Sequence, residues 1–246
     1  MLRFARILAP ILVMAAALLP SCGGTETGNP TPPPGKLSLG LRSTDESQVA
    51  IGTGNAPLVV DGYYQVLGTL AYQKCPAGSD EIVSLLDDAR TPVELATGDG
   101  LSAEHEVPAG DYCGAWLAAL TAVASDDVPV SLRSDRVLIT GMRDDGTPFE
   151  VHSDIDLRIK LRVATPLPQR DGRVSAVLAL DVAAPLATLD IAGTEPDADG
   201  TVRLYQRQRD GTLSAEFSAA MLASGVLFDD LDDDGRFDEG EPQIAP

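Results

Sequence analysis

Apolar and charged side chains alternate strictly over residues 155–163, Ile-Asp-Leu-Arg-Ile-Lys-Leu-Arg-Val. Successive side chains of a β-strand point to opposite faces of the sheet. The segment therefore predicts a strand with one face in the core and the other in solvent. Among all segments of the chain, this one most clearly indicates a β fold.

Similar runs recur along the chain, separated by Gly, Asp and Pro clusters about every ten residues. The Asp-Gly step in residues 143–147 lies between two such runs and predicts a hairpin. The pattern predicts a mainly β fold, namely an antiparallel β-sandwich with a short C-terminal helix over residues 214–224 and a calcium loop. The other strands are predicted at residues 37–41, 64–74, 82–86, 93–97, 137–142, 148–152 and 174–182, and the alanine-rich run at 112–120 could form a strand or a helix.

The N-terminal segment has the pattern of an export signal. Arg3 and Arg6 precede an uncharged run over residues 7–19. That run is shorter than the roughly 20 apolar residues that a membrane-spanning helix needs. Residues 1–21 are therefore predicted to be a signal peptide rather than a permanent membrane span.

The residues Leu19-Pro20-Ser21-Cys22 resemble the lipobox of bacterial lipoproteins. The resemblance implies that the leader is cut before Cys22, that this cysteine is acylated, and that the acyl chains hold the protein on a lipid bilayer. Pro20 departs from the pattern, because a small residue is usual there. Gly23, in place of the aspartate that retains such proteins in the inner membrane, favours the outer membrane of the cell envelope. The alternative is an ordinary signal peptide followed by a coincidental cysteine.

Four regions are expected along the chain. A Pro- and Gly-rich stretch follows Cys22 and is typical of a semi-extended tether. Two prolines and Asp171-Gly172 interrupt the strand pattern and suggest a boundary over residues 165–171. The regions are a signal peptide at 1–21, the lipidated cysteine and linker at 22–35, a β-sandwich domain at 36–165, and a β-rich C-terminal region at 166–246 that ends in an EF-hand-like loop.

The charge of the chain limits its partners. The formal net charge is −19, and removing a leader that contains Arg3 and Arg6 makes it −21. Nucleic acid and anionic lipid surfaces attract lysine and arginine, so neither is expected as a partner. Divalent cations are favoured, although a well-solvated surface explains most of the charge equally well.

Two cysteines remain once Cys22 is assigned to lipidation. Exported proteins enter an oxidising compartment in which paired thiols form bridges, so Cys75 and Cys113 are predicted to form a disulfide. The alternative is a pair of buried thiols. Neither cysteine has nearby residues at the spacing of a metal site.

The acidic segment 230–241 matches the calcium loop D-x-D-x-D-G with glutamate at its last position. Calcium prefers six to eight oxygen ligands, and alternate carboxylates on a curling loop supply them. The predicted ligands are Asp230, Asp232, Asp234, the main-chain carbonyl of Arg236, Asp238 and Glu241.

Gly235 would permit the sharp bend and Phe237 would point inward as an anchor. Pro242 follows at once, so a solitary loop is expected rather than a paired EF-hand. The alternative is a disordered acidic tail.

Three short segments together resemble a known class of module. They are Val-Pro-Ala-Gly-Asp-Tyr at 107–112, Glu-Leu-Ala-Thr-Gly at 94–98, and residues 141–149 around Asp-Gly-Thr-Pro-Phe. They are similar to turns in uncharacterised exported bacterial lipoproteins that carry a prealbumin-like or carboxypeptidase-regulatory-like β-sandwich. The resemblance covers residues 36–185. It implies a sandwich and export, and it brings no catalytic residue.

No catalytic motif is recognised in the chain, and a non-enzymatic structural or binding module of the envelope is the leading hypothesis. His105 and His152 are expected at the surface. A carbohydrate- or protein-binding adhesin-like domain is the alternative, with an envelope protein or glycan as partner, and a hydrolase that uses some of the many carboxylates is a third. The aromatic residues could either stack on a sugar or pack in the core; they are Trp116, Tyr63, Tyr64 and Tyr72.

Overall fold

The computed structural model describes residues 34–41, 48–49, 58–77, 79–86, 90–96, 101–108, 110–206, 215–235, 237–238 and 240–246. The predicted signal peptide, Cys22 and most of the predicted linker lie outside them. Residues 32–246 form one compact unit. None of the helices in the described ranges is both long enough and apolar enough to span a bilayer.

The fold is mainly β, as predicted. The strands are β1 (Pro34–Leu41), β2 (Gln48–Val49), β3 (Leu58–Lys74), β4 (Ile82–Ser84), β5 (Thr91–Glu94), β6 (Leu101–Glu106), β7 (Tyr112–Leu120), β8 (Val137–Met142), β9 (Pro148–Ser153), β10 (Arg158–Arg162), β11 (Ser175–Leu180), β12 (Val202–Gln206), β13 (Gly225–Asp229) and β14 (Gln243–Ala245). Two short helices, α1 (Ala183–Ala187) and α2 (Ala215–Leu222), and a 3-10 turn at Val130–Leu132 complete the described elements.

The strands form two sheets. The first has the order β14-β13-β11-β1-β6. The second has the order β10-β7-β3-β8-β9-β12, and β2, β4 and β5 also pair with the long strand β3. One buried cluster includes Leu37 and Leu178 of the first sheet together with Tyr63, Leu117 and Ile159 of the second. The apolar faces of both sheets thus share a core, as in a sandwich.

Both sheets are mixed, which corrects the prediction of a purely antiparallel sandwich. Most pairs are antiparallel, but β1 runs parallel to β11 and β12 runs parallel to β9. The chain between each parallel pair passes through other strands, which provides the long crossover that parallel pairing requires. Alternation of side chains reports which face of a strand is buried, and it contains no information about the direction of the neighbouring strand.

The first sheet crosses the predicted boundary near residue 165. Its central strand β1 pairs with β6 on one side and with β11 on the other. Pro34 and Gly35, which were assigned to the linker, pair with Glu106 and His105 and belong to β1. The regions predicted at 36–165 and 166–246 therefore contribute strands to one sheet.

Local predictions agree well with the structure. Ile159 and Leu161 of β10 are buried, whereas Arg158, Lys160 and Arg162 are exposed. The hairpin between β8 and β9 turns at Gly146, whose φ is +79°. The short helix appears as α2, whose buried side chains include Phe217.

The predicted disulfide is confirmed. Cys75 lies directly after β3 and Cys113 lies on β7, with a Cα–Cα distance of 5.0 Å. The strands β3 and β7 pair along most of their length, so the bridge links two neighbours at one end of the second sheet.

Candidate metal centre

The acidic loop is the segment 230–241, and it is closed at its base by two strands of the first sheet. Strand β13 ends at Asp229, and its neighbour β14 begins at Gln243. The amide of Asp229 donates a hydrogen bond of 3.0 Å to the carbonyl of Pro242. Because β13 is buried along its whole length, the beginning of the acidic loop is fixed to the core.

The structure brings three of the predicted ligands together. Asp230, Asp232 and Asp234 each offer a carboxylate oxygen, and these oxygens lie within 4.8 Å of one another. Asp230 is buried, whereas Asp232 and Asp234 are exposed. Three carboxylates at this separation repel one another unless a cation lies between them.

The Asp230 carboxylate is fully buried, but only one of its two oxygens accepts hydrogen bonds. Its Oδ2 accepts a hydrogen bond of 3.1 Å from the Gly235 amide and lies 3.1 Å from the Ser175 hydroxyl, whose single proton is shared with the Asp233 carboxylate. Its Oδ1 is buried without a hydrogen-bond partner among the described residues. Burial raises the pKa of this carboxyl above its ordinary value, although the bond from Ser175 and the charge of Lys36 act in the opposite direction. A buried acceptor without a donor is costly, and a bound cation would remove that cost.

The bend predicted at Gly235 is present. Gly235 has a φ of +80°, and an added Cβ would lie 2.5 Å from the hydroxyl of Ser38 on β1. Phe237 packs against Phe228 of β13 with ring centroids 4.3 Å apart, as expected of an inward anchor. The acidic loop is therefore seated on the first sheet.

The predicted ligands Asp238 and Glu241 are not in the three-aspartate group. Glu241 accepts hydrogen bonds from the amide of Leu231 at 3.1 Å and from the amide of Asp238 at 3.3 Å, so its carboxylate ties the two ends of the acidic loop together. Burial raises the pKa of Glu241, and the two amide hydrogen bonds oppose that rise. Asp238 is exposed. Arg236 lies outside the described residues.

Two cationic side chains hold Asp233, a residue that the motif does not use as a ligand. Lys36 of β1 is buried and donates a hydrogen bond to the carbonyl oxygen of Asp233. The guanidinium of Arg173 lies 2.7 Å from the Asp233 carboxylate, which also accepts a 2.6 Å hydrogen bond from Ser175. Sequence reasoning missed these residues. Lys36 is 197 positions from Asp233, and no local pattern signals such a contact.

A cleft of about 450 Å³ adjoins the acidic loop. Its walls include Arg170, Arg173 and Leu231, and Asp230 lines it as well. Arg170 pairs with the Asp229 carboxylate and donates a 3.1 Å hydrogen bond to the carbonyl of Asp230. Arg170 and Arg173 therefore both contact the beginning of the acidic loop.

His152 is buried, which corrects the expectation of a surface position. Its Nδ1 lies 3.0 Å from the Asp135 carboxylate and its Nε2 lies 3.1 Å from that of Glu150. Its ring stacks on Tyr205 with centroids 4.6 Å apart. Each ring nitrogen contacts one carboxylate, so the imidazole links Asp135 to Glu150. We call these three residues the His152 clamp. The other histidine, His105, belongs to β6, and its side chain is outside the described part of the structure.

The structure divides the aromatic residues that were considered for sugar stacking. Tyr63 and Tyr72 are fully buried and pack in the core. Tyr64 and Trp116 are partly exposed. Tyr64 lines a separate cleft with Pro92 and Glu94, so only Tyr64 and Trp116 keep a face that a ligand could reach.

Comparison with protein-family models, with curated proteins and with solved structures gives no match to this chain. Its function must therefore follow from its own residues. Of these, the aspartates of the acidic loop form the most developed site, because a buried carboxylate without a full set of partners faces two further carboxylates.

Proposed function

We propose that the chain is a non-enzymatic structural or binding module of the bacterial cell envelope, stabilised by calcium and held on the outer membrane through acylated Cys22. The observation that carries the calcium part is the buried Oδ1 of Asp230, which has no hydrogen-bond donor within the described ranges and belongs to the same group as Asp232 and Asp234. Without a bound ion, folding would bury a carboxylate whose Oδ2 lies 3.9 Å from the Lys36 ammonium but whose Oδ1 has no partner in the described ranges.

The ligand chemistry favours calcium over other divalent ions. The candidate ligands are oxygen atoms only, whereas zinc and copper prefer nitrogen and sulfur. Magnesium requires a near-ideal octahedron, and a flexible loop with several carboxylates suits calcium better. Asp230, Asp232 and Asp234 would hold the ion, with the Arg236 carbonyl, Asp238 and Glu241 completing the shell.

Two features predict modest affinity. The Glu241 carboxylate must release the amides of Leu231 and Asp238 before it can serve as a ligand. The ammonium of Lys36 lies 3.9 Å from Asp230 Oδ2 and already neutralises part of the charge. Dissociation constants of about 0.1–1 mM, typical of extracellular calcium modules, are expected.

The anchor part rests on the N-terminal residues. A short apolar leader followed by the lipobox-like Leu19-Pro20-Ser21-Cys22 supports export and acylation. Several acyl chains hold a protein stably, since each buried methylene contributes about 0.8 kcal/mol. The negative charge of the chain argues against nucleic acid as a partner. An envelope protein or a glycan is a more suitable partner for an exported β-sandwich. The resemblance to prealbumin-like modules supports both export and the sandwich.

Calorimetric titration tests the calcium site. The chain from residue 23 onward, stripped with EDTA, is titrated with calcium chloride. We expect one saturable site, abolished by Asp232→Asn combined with Asp234→Asn. The matched control is Asp144→Asn, which removes an equally exposed acid from the β8–β9 hairpin and should bind as the wild type does. No saturable heat in the folded wild type would refute the calcium proposal.

Mass spectrometry of the protein purified from native membranes tests the anchor. The expected product begins at Cys22 and carries acyl chains, and Cys22→Ser should release the protein from the membrane fraction. An intact leader or an unmodified Cys22 would contradict the anchor and leave the calcium proposal unaffected.

A further inference from the structure

Strand β10 presents a row of cations at the edge of the second sheet. It is the terminal strand in the order of that sheet, and within the described residues it pairs only with β7. Its buried side chains point into the core, so Arg158, Lys160 and Arg162 share the outer face. Three cations on one face are notable in a chain whose net charge is −19.

The neighbouring strand places the single tryptophan beside this row. Lys160 pairs with Trp116, Arg158 pairs with Ala118, and Arg162 pairs with Gly114. Gly114 and Ala118 flank Trp116 on the same face of β7, and the indole is partly exposed, although its Nε1 is buried without a hydrogen-bond partner among the described residues. No acidic side chain of β7 lies opposite any of the three cations.

The positive charge of this row is only partly neutralised. Arg158 pairs with Asp156 at 3.1 Å. Lys160 and Arg162, by contrast, have no ion-pair partner in the described ranges. Lys160 lies over the Trp116 ring instead, with its Nζ 4.4 Å from the centroid. This contact is weak at an exposed position, and a ligand with a stronger anionic group displaces it readily.

A cleft of about 260 Å³ opens at this point. Its lining combines Trp116 and Lys160 with Gln73, Asp80 and Ile82. Trp116 belongs to none of the hydrophobic clusters found in the described part of the chain, so its ring is not needed to fill the core. The cleft is smaller than the usual pocket for a drug-sized molecule, and it suits one sugar ring.

We propose that the outer face of β7 and β10, formed by Trp116, Lys160, Arg158 and Arg162 and called here the Trp116 face, binds an acidic sugar of the hexuronate class. The apolar C–H face of the pyranose packs on the indole, as saccharide rings do on aromatic side chains. The carboxylate of the sugar pairs with Lys160 and with Arg162. Asp80 accepts hydrogen bonds from sugar hydroxyl groups.

Charge and shape together select this ligand class. A neutral sugar would leave Lys160 and Arg162 without a counter-charge, and an anion without a sugar ring would leave the exposed part of the indole uncovered. The Trp116 face belongs to the second sheet and contains no residue of the acidic loop, so the proposal is independent of calcium.

Tryptophan fluorescence tests the proposal directly, because the chain contains one tryptophan. The protein from residue 23 onward is titrated with trigalacturonate in EDTA, which excludes bridging by calcium. The methyl ester of the same trisaccharide is the neutral probe, and triglutamate is the anionic probe without a sugar ring. We expect a saturable change with trigalacturonate, and binding at least about tenfold weaker for both comparison probes.

Substitutions locate the site. Lys160→Gln and Arg162→Gln should each weaken binding by about tenfold, since each removes one charge-assisted contact. Trp116→Leu, measured by calorimetry, should abolish binding. Arg133→Gln, which removes an exposed cation outside β7 and β10, should leave it unchanged. Urea unfolding midpoints confirm that each variant is folded.

Three results would overturn the proposal. They are no saturable signal with trigalacturonate, equal affinity for the methyl ester or for triglutamate, and unchanged affinity in folded Lys160→Gln and Trp116→Leu variants. Each of them is compatible with calcium binding by the acidic loop, so the two proposals fail separately.

Discussion

Lys36 donates a hydrogen bond to the main-chain carbonyl of Asp233, and this contact joins β1 to the acidic loop across 197 positions. The same ammonium lies 3.9 Å from the carboxylates of Asp230 and Asp233. The lysine side chain is nine-tenths buried, so the contact is shielded from solvent. The first strand and the C-terminal loop therefore hold each other in place.

Replacement of Lys36 by methionine should destabilise the protein most when calcium is absent. The change leaves two carboxylates without their shared cation, and breaking a buried pair costs about 3 kcal/mol. Calcium supplies the missing positive charge, so the loss should be smaller in its presence. By thermodynamic linkage, the variant should then bind calcium more tightly than the wild type does.

Urea unfolding with EDTA and with calcium measures both effects. Lys74→Met is the matched control, because Lys74 forms an exposed pair with Glu81 and its loss should leave the unfolding midpoint unchanged. An equal loss of stability in both buffers for Lys36→Met would show that Lys36 and the calcium site are not coupled.

Calcium itself should raise the free energy of unfolding. With a dissociation constant of 0.1–1 mM, 10 mM calcium would add about 1.4–2.7 kcal/mol. Asp234→Asn should reduce the effect strongly, whereas magnesium at the same concentration should give little. The urea midpoint as a function of calcium concentration provides the measurement, and a flat curve for the wild type would contradict the prediction.

Removal of the Cys75–Cys113 bridge should lower stability by about 4 kcal/mol, because the bridge closes a loop with a sequence separation of 38. A Cys75→Ala, Cys113→Ala double variant isolates this effect. Wild-type protein in dithiothreitol should unfold at the same urea concentration as the double variant. A wild type that keeps its oxidised midpoint after verified reduction would exclude a stabilising role for the bridge.

The clamp around His152 should make stability depend on pH. Burial of the imidazole lowers its pKa, but hydrogen bonds to Asp135 and Glu150 outweigh burial and hold the pKa above the ordinary value of 6.5. Protonated His152 thus stabilises the fold fully below about pH 6.5, and this contribution is lost as the pH rises through the folded-state pKa.

An NMR titration of the His152 ring protons, assigned with a His152→Gln variant, measures that pKa. Asp135→Asn should lower the pKa, because the neutral amide removes the charged partner at 3.0 Å from Nδ1. Urea midpoints from pH 5 to 9 should fall with a slope that His152→Gln lacks. A His152 pKa at or below 6.5 in the wild type would contradict the clamp.

Local features of the fold were predictable from sequence because they depend on neighbouring residues. The alternation at 155–163 determines which side chains of β10 are buried, and the Asp-Gly step determines the turn at Gly146. The spacing of the aspartates places three carboxylates on one bend at Gly235. Each of these patterns is complete within about a dozen residues, since a strand, a turn or a loop is set by local backbone geometry.

Only the tertiary structure decided which distant segments meet. The parallel neighbours of β1 and β12, the contact of Lys36 with Asp233, and the stacking of His152 on Tyr205 all join residues from different parts of the chain. Alternation places a side chain on a face but does not specify what covers that face. That choice depends on how both sheets bury their apolar area together, which is a property of the whole chain rather than of any segment.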